Sequence, residues 1–288
     1  MSMAIKTIGV VGSGTMGGGI AQVAAQSGLT VHLYDVKSEM LEKATAQIDE
    51  ILKKSVTKGK LSDSEANAIK ARIITTTDLA DFKDCDCVIE AAPEILDLKQ
   101  KIFHDLEQIV RPDCILATNT STLSVTSIGS QASHQERVVG MHFFNPPPLM
   151  PLIEVIGSSA TSEAVIAATL DLARTMGKTP VRVKDTPGFI VNRVARPFYL
   201  EGLRLLGEGV ADHATLDKLI KGGGKFRMGP FELMDLIGLD INYAASQSVY
   251  DAFFHEPRFR PSVLQQRMVE SGRLGRKTGH GWYEYEDK

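Results

Sequence analysis

The sequence has little that would send it to a membrane, a nucleic acid or an oxidising compartment. It holds no uninterrupted apolar stretch near the ~20 residues that cross a bilayer, so a spanning role is excluded at this level. Charge of one sign is also missing: 32 Lys and Arg stand against 35 Asp and Glu, a formal −3 with a pI near 6.2. No basic field for phosphate backbones results, and nucleic acid is not an expected partner. Cysteine is sparse, with Cys85, Cys87 and Cys114 the only three. They lie in or beside strand-like runs without disulfide or zinc spacing, which reads as buried reduced thiols and no metal site. The N-terminal residues run straight into an apolar strand pattern, leaving no room for a signal or transit peptide, so a cytoplasmic location is expected. There is no internal repeat and no low-complexity segment. What remains is a chain of 288 residues with 43% hydrophobic content, long enough for a large core and for two domains.

The first positive signal is an apolar strand from Ile5 followed by Gly12-Ser13-Gly14-Thr15-Met16-Gly17, a helical pattern, and a second strand ending at Asp35. Gly12 permits the tight turn, Gly14 lets backbone approach a pyrophosphate, and Gly17 lets the helix pack on the strand. The helix N-terminus, with Thr15 and Met16, then offers unpaired N–H groups and a positive dipole end to phosphates. Asp35, at the end of the second strand, suits a pair of ribose hydroxyls and repels a 2′-phosphate, so NAD is favoured over NADP, a preference that Lys37 softens.

A long helical pattern over 40–56, a turn at Lys58-Gly59-Lys60, and a second helix from a Ser62 cap with Glu65 in capping-box position form a hairpin that an ordinary dinucleotide fold lacks. Lys53, Lys54, Lys58 and Lys60 make its tip cationic; a solvated helix end and an anion-binding tip are both compatible with that. Strand patterns then recur over 72–77, 87–92 and 114–119, with a helix over 96–110. Glu94 and Thr120-Ser121-Thr122 follow the second and third of these strands, at the carboxyl edge where this sheet type binds ligands. The hydroxyls either cap the helix beginning near Val125 or touch nicotinamide or substrate.

Strands over 138–144 and 152–156 are separated only by a proline-rich break, too short for a parallel crossover. They should therefore pair antiparallel, bringing His142 opposite Glu154. A lone histidine in an apolar strand is commonly a core residue, but a carboxylate within reach of the ring sets its tautomer and steadies an imidazolium, which favours a catalytic reading. After a helix over 162–176, a strand over 180–183 and Asp185-Thr186-Pro187-Gly188, the alternation of strand and helix stops. The expected organisation is an α/β Rossmann-like NAD-binding domain with a helical hairpin insertion, residues 1–185, followed by an all-α C-terminal domain, residues 186–288. In the latter a helix with a kink at Pro197 and a helix over 213–221 broken by Gly222-Gly223-Gly224 are expected.

Taken together, Gly12 to Gly17, Asn119-Thr120-Ser121, His142-Phe143-Phe144-Asn145-Pro146, Glu154 and the run from Pro187 to Asn192-Arg193 resemble the L-3-hydroxyacyl-CoA dehydrogenases over essentially the whole chain. The resemblance implies His142 as acid/base, Glu154 as its orienting partner, and Ser121 and Asn192 as polar contacts to substrate. It also implies Asp35, Glu94, Lys99, Ser121, Asn145 and Lys277 as NAD contacts, Lys54 and Lys58 in the region that receives CoA, and a homodimer. Where short-chain members commonly have Asn-His-Pro, this chain has Lys225-Phe226-Arg227, and it carries Arg196. These departures look most like the branch acting on 3-hydroxyadipyl-CoA in phenylacetate breakdown, with 3-hydroxybutyryl-CoA as the other substrate expected. Arg196 or Arg227 would then pair with the distal carboxylate, because a guanidinium matches it bidentately; a surface or intersubunit salt bridge is the other reading of each. Competing functions are a dehydrogenase of free hydroxy or sugar acids, and a non-catalytic NAD-binding structural relative.

Overall fold

A computed structural model describes residues 5–286, and the chain divides into two compact units between Thr186 and Pro187. The first is an α/β unit with strands β1 (Thr7–Val11), β2 (Thr30–Tyr34), β3 (Ile73–Thr76), β4 (Cys87–Glu90), β5 (Ile115–Thr118), β6 (Val138–Phe143), β7 (Leu152–Gly157) and β8 (Thr179–Lys184). Its helices are α1 (Thr15–Gln26), α2 (Ser38–Thr57), α3 (Asp63–Ala71), α4 (Leu96–Glu107), α5 (Val125–Gly129) and α6 (Glu163–Thr175). The strands form one sheet in the order β3-β2-β1-β4-β5-β6-β7-β8. Every pairing is parallel except β6 with β7. The order reverses between β1 and β4, and the carboxyl ends of the strands at such a reversal are the usual ligand position of these sheets.

Central strands β4, β5 and β6 are buried along their whole length, as strands covered on both faces by helices must be. All three cysteines are free and buried, and burial pushes the Cys85 and Cys114 thiols up to about 12. The hairpin between β2 and β3 forms because Leu41, Ala44, Ile48 and Leu52 recur on one face of α2 and are buried. Ser62 then starts α3 with a complete capping box to Glu65.

The second unit is helical: α7 (Val191–Gly207), α8 (His213–Gly224), α9 (Pro230–Ile237), α10 (Leu239–Ala252) and α11 (Val263–Glu270). Here the break expected at Gly222-Gly223-Gly224 is absent. Helix α8 runs through the three glycines and ends where Lys225 adopts a left-handed φ of 55°. A side chain on Gly224 would stand 2.7 Å from the Phe226 ring, so glycine is used there for close approach. Lys221 is also ion-paired to Glu232 of α9, which holds the last turn in place. Helix α7 continues through Pro197. The terminal aromatic segment docks on buried carboxylates: Asp235 accepts from the Trp282 and Tyr283 amides, and Asp217 from the Tyr283 hydroxyl. Among the described residues no helix is long and apolar enough to cross a membrane, and no group of His, Cys, Asp or Glu is arranged to hold a metal ion.

Candidate active site

The segments that follow β1, β2, β4, β5 and β6 share the carboxyl edge of the parallel strands. The first follows β1. Gly12 has φ +94°, and a side chain there would lie 2.8 Å from the Ala91 carbonyl oxygen; one on Gly17 would lie 1.7 Å from the Gly12 oxygen. Neither position admits another residue without moving the backbone. Gly14 differs, since a side chain there would meet nothing within 4 Å: open space lies above the backbone that precedes α1. Gly14 is also the N-cap of α1, with no side-chain capping bond and no acid in the first turn, so the positive end of the helix faces that space. Thr15, at the first position of α1, is exposed and Met16 half-buried.

Asp35, at the end of β2, turns one carboxylate oxygen toward this loop. Its Oδ2 accepts from the Ser13 amide and hydroxyl, both at 2.9 Å, and Oδ1 accepts from the Lys37 amide at 3.3 Å. Asp35 thus ties the ends of β1 and β2 together.

The loops after β4 and β5 are joined by a polar network. Glu94 Oε1 accepts from the Thr120 hydroxyl at 2.6 Å and from the Ser121 and Thr122 amides at 2.9 and 3.1 Å, so it fixes the segment that carries the Ser121 hydroxyl. Lys99 lies behind it at 1% exposure, its ammonium 2.7 Å from Glu90 Oε1 and 3.3 Å from Glu94 Oε2. Burial raises the Glu94 carboxyl, but Lys99 and the hydroxyl and amide donors outweigh it and hold the group below its ordinary value. At Glu90 burial prevails over Lys99 and Thr118, and the carboxyl is raised. The ammonium of Lys99 therefore faces inward, between the two carboxylates. Glu90 was not singled out from the sequence; a carboxylate closing an otherwise apolar strand, Cys87-Val88-Ile89-Glu90, was the available signal.

The last loop joins β6 to β7. His142 and Glu154 are direct cross-strand partners in the antiparallel register, with His142 Nδ1 2.8 Å from Glu154 Oε2. They are 5% and 1% exposed. A carboxylate only accepts, so Nδ1 carries the proton of a neutral ring and the basic lone pair is on Nε2. The Phe144 ring packs on the imidazole, centroids 4.5 Å apart. Asn145 is exposed, and the Pro147 ring lies over Gly19 of α1, so this loop leans on the helix that begins at the glycine turn.

The other candidate residues lie on the hairpin and in the helical unit. On the hairpin, Lys54 pairs with Glu50 at 2.5 Å, and Lys58 is the C-cap of α2. In the helical unit, Asn192 lies in the first turn of α7 and Lys277 is bonded to both oxygens of Asp240 at 2.6 Å. Arg196 is buried within the helical unit. It is 2% exposed, with its guanidinium on the Asn242 carbonyl at 2.7 Å, the Ser246 hydroxyl at 3.0 Å and the Asn192 carbonyl at 3.3 Å. Burial lowers its pKa to about 10. Through Nη1 it knits α7 to α10. Arg227 is exposed on the loop after α8.

Two family models match the chain end to end: the 3-hydroxyacyl-CoA dehydrogenase NAD-binding domain over residues 7–186 and the C-terminal domain of the same enzymes over 188–285. The chain belongs to the 3-hydroxyacyl-CoA dehydrogenase family. It is 46% identical over 285 residues to the 3-hydroxyadipyl-CoA dehydrogenase of Escherichia coli, covering 99% of this chain and 60% of that protein. It is 43% identical to a probable 3-hydroxybutyryl-CoA dehydrogenase of Deinococcus radiodurans, covering 96% of this chain and 99% of that one. The crystal structure of (S)-3-hydroxybutyryl-CoA dehydrogenase from Ralstonia eutropha superimposes with a TM-score of 0.95 at 42% identity, over 99% of this chain and 100% of that one. The chain thus spans three-fifths of the first of these relatives and nearly all of the other two. The first unit is accordingly an NAD-binding domain, and its residues fit the cofactor: Gly14 leaves the space a pyrophosphate needs, the uncapped start of α1 offers N–H groups, and Asp35 stands where a ribose is read.

Proposed function

We propose that the chain catalyses reversible oxidation of a 3-hydroxyacyl-CoA to the 3-oxoacyl-CoA, with His142 as acid/base and Glu154 as the group that orients it. The observation that carries this is the buried 2.8 Å contact between His142 Nδ1 and Glu154 Oε2. Nε2 takes the hydroxyl proton as the carbinol carbon becomes a carbonyl, and Glu154 stabilises the imidazolium so formed. In reverse the imidazolium returns that proton to the oxygen. When bound, NAD supplies the two-electron acceptor. Ser121, fixed by Glu94, and Asn192 hold the acyl group, since displacement by ~1 Å can cost on the order of a hundredfold in rate. Asp35, Glu94, Asn145 and Lys277 hold the dinucleotide with the glycine turn, and Lys54 and Lys58 take the CoA phosphates. The working form is a homodimer.

The substrate is a 3-hydroxyacyl-CoA of the two kinds its relatives are named for, 3-hydroxybutyryl-CoA or 3-hydroxyadipyl-CoA. With Arg196 engaged inside the helical unit, Arg227 is the remaining candidate for a distal carboxylate. The test is NADH oxidation with acetoacetyl-CoA, 3-oxoadipyl-CoA and free acetoacetate. Turnover of either thioester with little of the free acid supports the proposal, and the preferred thioester names the substrate. Turnover of free acetoacetate at a comparable rate would replace it with a hydroxy-acid dehydrogenase, and no turnover of any with NAD still bound would indicate a structural relative.

A further inference from the structure

The buried network behind the site holds two carboxylates against one ammonium. Glu90 Oε1 accepts from Lys99 Nζ and from the Ala92 amide, each at 2.7 Å, and Oε2 accepts from the Thr118 hydroxyl at 2.7 Å. That hydroxyl itself accepts from the Thr120 amide at 3.2 Å, so its proton is directed at Glu90. Every neighbour of Glu90 in this set is a donor, an arrangement suited to the ionised carboxylate. Glu94 is likewise surrounded by donors, from Thr120, Ser121 and Thr122. Lys99 is the one cation bridged to either among the described residues. With both carboxylates ionised the cluster carries one net negative charge; Glu90 is fully buried, and Glu94, with 36% of its side chain exposed, is partly screened by water.

Its position in the sheet gives that charge a consequence. The ribose-reading Asp35 ends β2 and the phosphate turn follows β1, so a dinucleotide laid along the carboxyl edge runs from β2 across β1, and its nicotinamide half reaches the ends of β4 and β5. Glu90 and Thr118 end those strands. The oxidised nicotinamide ring is a cation and the reduced ring is neutral, while the rest of the molecule is unchanged. We propose that Glu90, through the net charge of the Glu90-Lys99-Glu94 cluster, sets the relative affinity of the site for oxidised over reduced NAD. Glu90 acts here as a positioning and charge-setting residue that reaches the ligand through Lys99 and Glu94. The inference rests on the NAD-binding reading of the domain.

The experiment measures dissociation constants of NAD⁺ and NADH for the full chain, by NADH fluorescence and competitive displacement, in four proteins whose folding is checked by thermal melting. In Glu90→Gln the ratio of the NAD⁺ to the NADH constant rises about five- to tenfold, the scale of one charge acting over roughly 10 Å at an intermediate dielectric. Glu90→Asp, which keeps the charge, leaves the ratio near that of the wild type. Thr118→Val disturbs the network without changing its charge, so it weakens both forms alike. If Glu90→Gln does not fold, Glu94→Gln neutralises the same cluster from its more exposed end and is read by the same ratio. An unchanged ratio in the folded neutral variant overturns the proposal. Failure of the wild-type chain to bind either form would overturn the domain reading and the inference with it.

Discussion

Asn119 Oδ1 accepts the backbone amide of Phe143 at 2.9 Å, tying the end of β5 to the residue that follows His142. The loop that carries Ser121 and the strand that carries His142 are thereby held as one surface. Asn119→Ala leaves the Phe143 amide without that acceptor. We expect a loss of about 1 kcal/mol in stability, read by urea denaturation of the purified protein. A larger fall in kcat than in NAD affinity should accompany it, because the side chains that shift belong to the reacting end of the site.

Glu154→Gln tests the orientation of His142. Its amide can donate to Nδ1 as well as accept from it, so the tautomer with the lone pair on Nε2 is no longer enforced. We expect kcat to fall on the order of a hundredfold, while the NAD dissociation constant stays within about twofold. His142→Ala should remove turnover with the same retention of binding. Equal loss of binding and turnover in both variants would indicate that the pair is merely structural.

The two arginines should separate cleanly. Arg196→Met removes two hydrogen bonds that join α7 to α10 and one within α7. A loss of roughly 2 to 3 kcal/mol in stability is expected, with the ratio of kcat/KM for 3-oxoadipyl-CoA over acetoacetyl-CoA unchanged. Arg227→Met should leave the melting temperature within a degree or so, as exposed substitutions usually do, and lower that ratio about tenfold if Arg227 meets the distal carboxylate. A ratio that moves with Arg196 instead would make Arg196 the group that meets the distal carboxylate.

Acid sensitivity is expected from Glu107, which accepts from the Ser133 and His134 amides at 2.7 and 2.8 Å and faces Arg137. Burial raises its carboxyl, but the two amides and Arg137 outweigh this and hold it below the ordinary 4.5. A depressed folded pKa means that the stabilisation is complete above the unfolded value and is lost as pH falls through the folded one. Melting temperature against pH should therefore drop less steeply below about 4.5 in Glu107→Gln than in the wild type. Near neutrality the variant should be the less stable, since an amide cannot accept from both backbone groups with two oxygens. Identical acid limbs would show that Glu107 does not contribute.

Several of these features could be read before any fold was known, because they depend on neighbours in the chain. Gly12, Gly14 and Gly17 follow a strand and open a helix, and that local order suffices to mark a dinucleotide turn. The loop between β6 and β7 is too short for a crossover, so antiparallel pairing follows from length alone and the His142–Glu154 register from counting. The capping box at Ser62 and Glu65 and the spaced apolar face of α2 are equally local.

Other features depend on what packs against them, and sequence pattern is silent there. Lys99 is implied as an NAD contact by resemblance alone, and its enclosure by Glu90 and Glu94, on a strand and a loop, is written in no local pattern. Arg196 reads as a ligand for an anion until α10 supplies Asn242 and Ser246. Three consecutive glycines read as a helix break until Phe226 needs the room and Glu232 holds Lys221. The alternation of strand and helix, the nucleotide turn and the opposition of a histidine to a glutamate are written in spacing and local propensity. Which charged side chains face inward was settled by the packing of the folded chain. That outcome is fixed by partners distant in the chain, and a buried charge is tolerated only where such partners meet it.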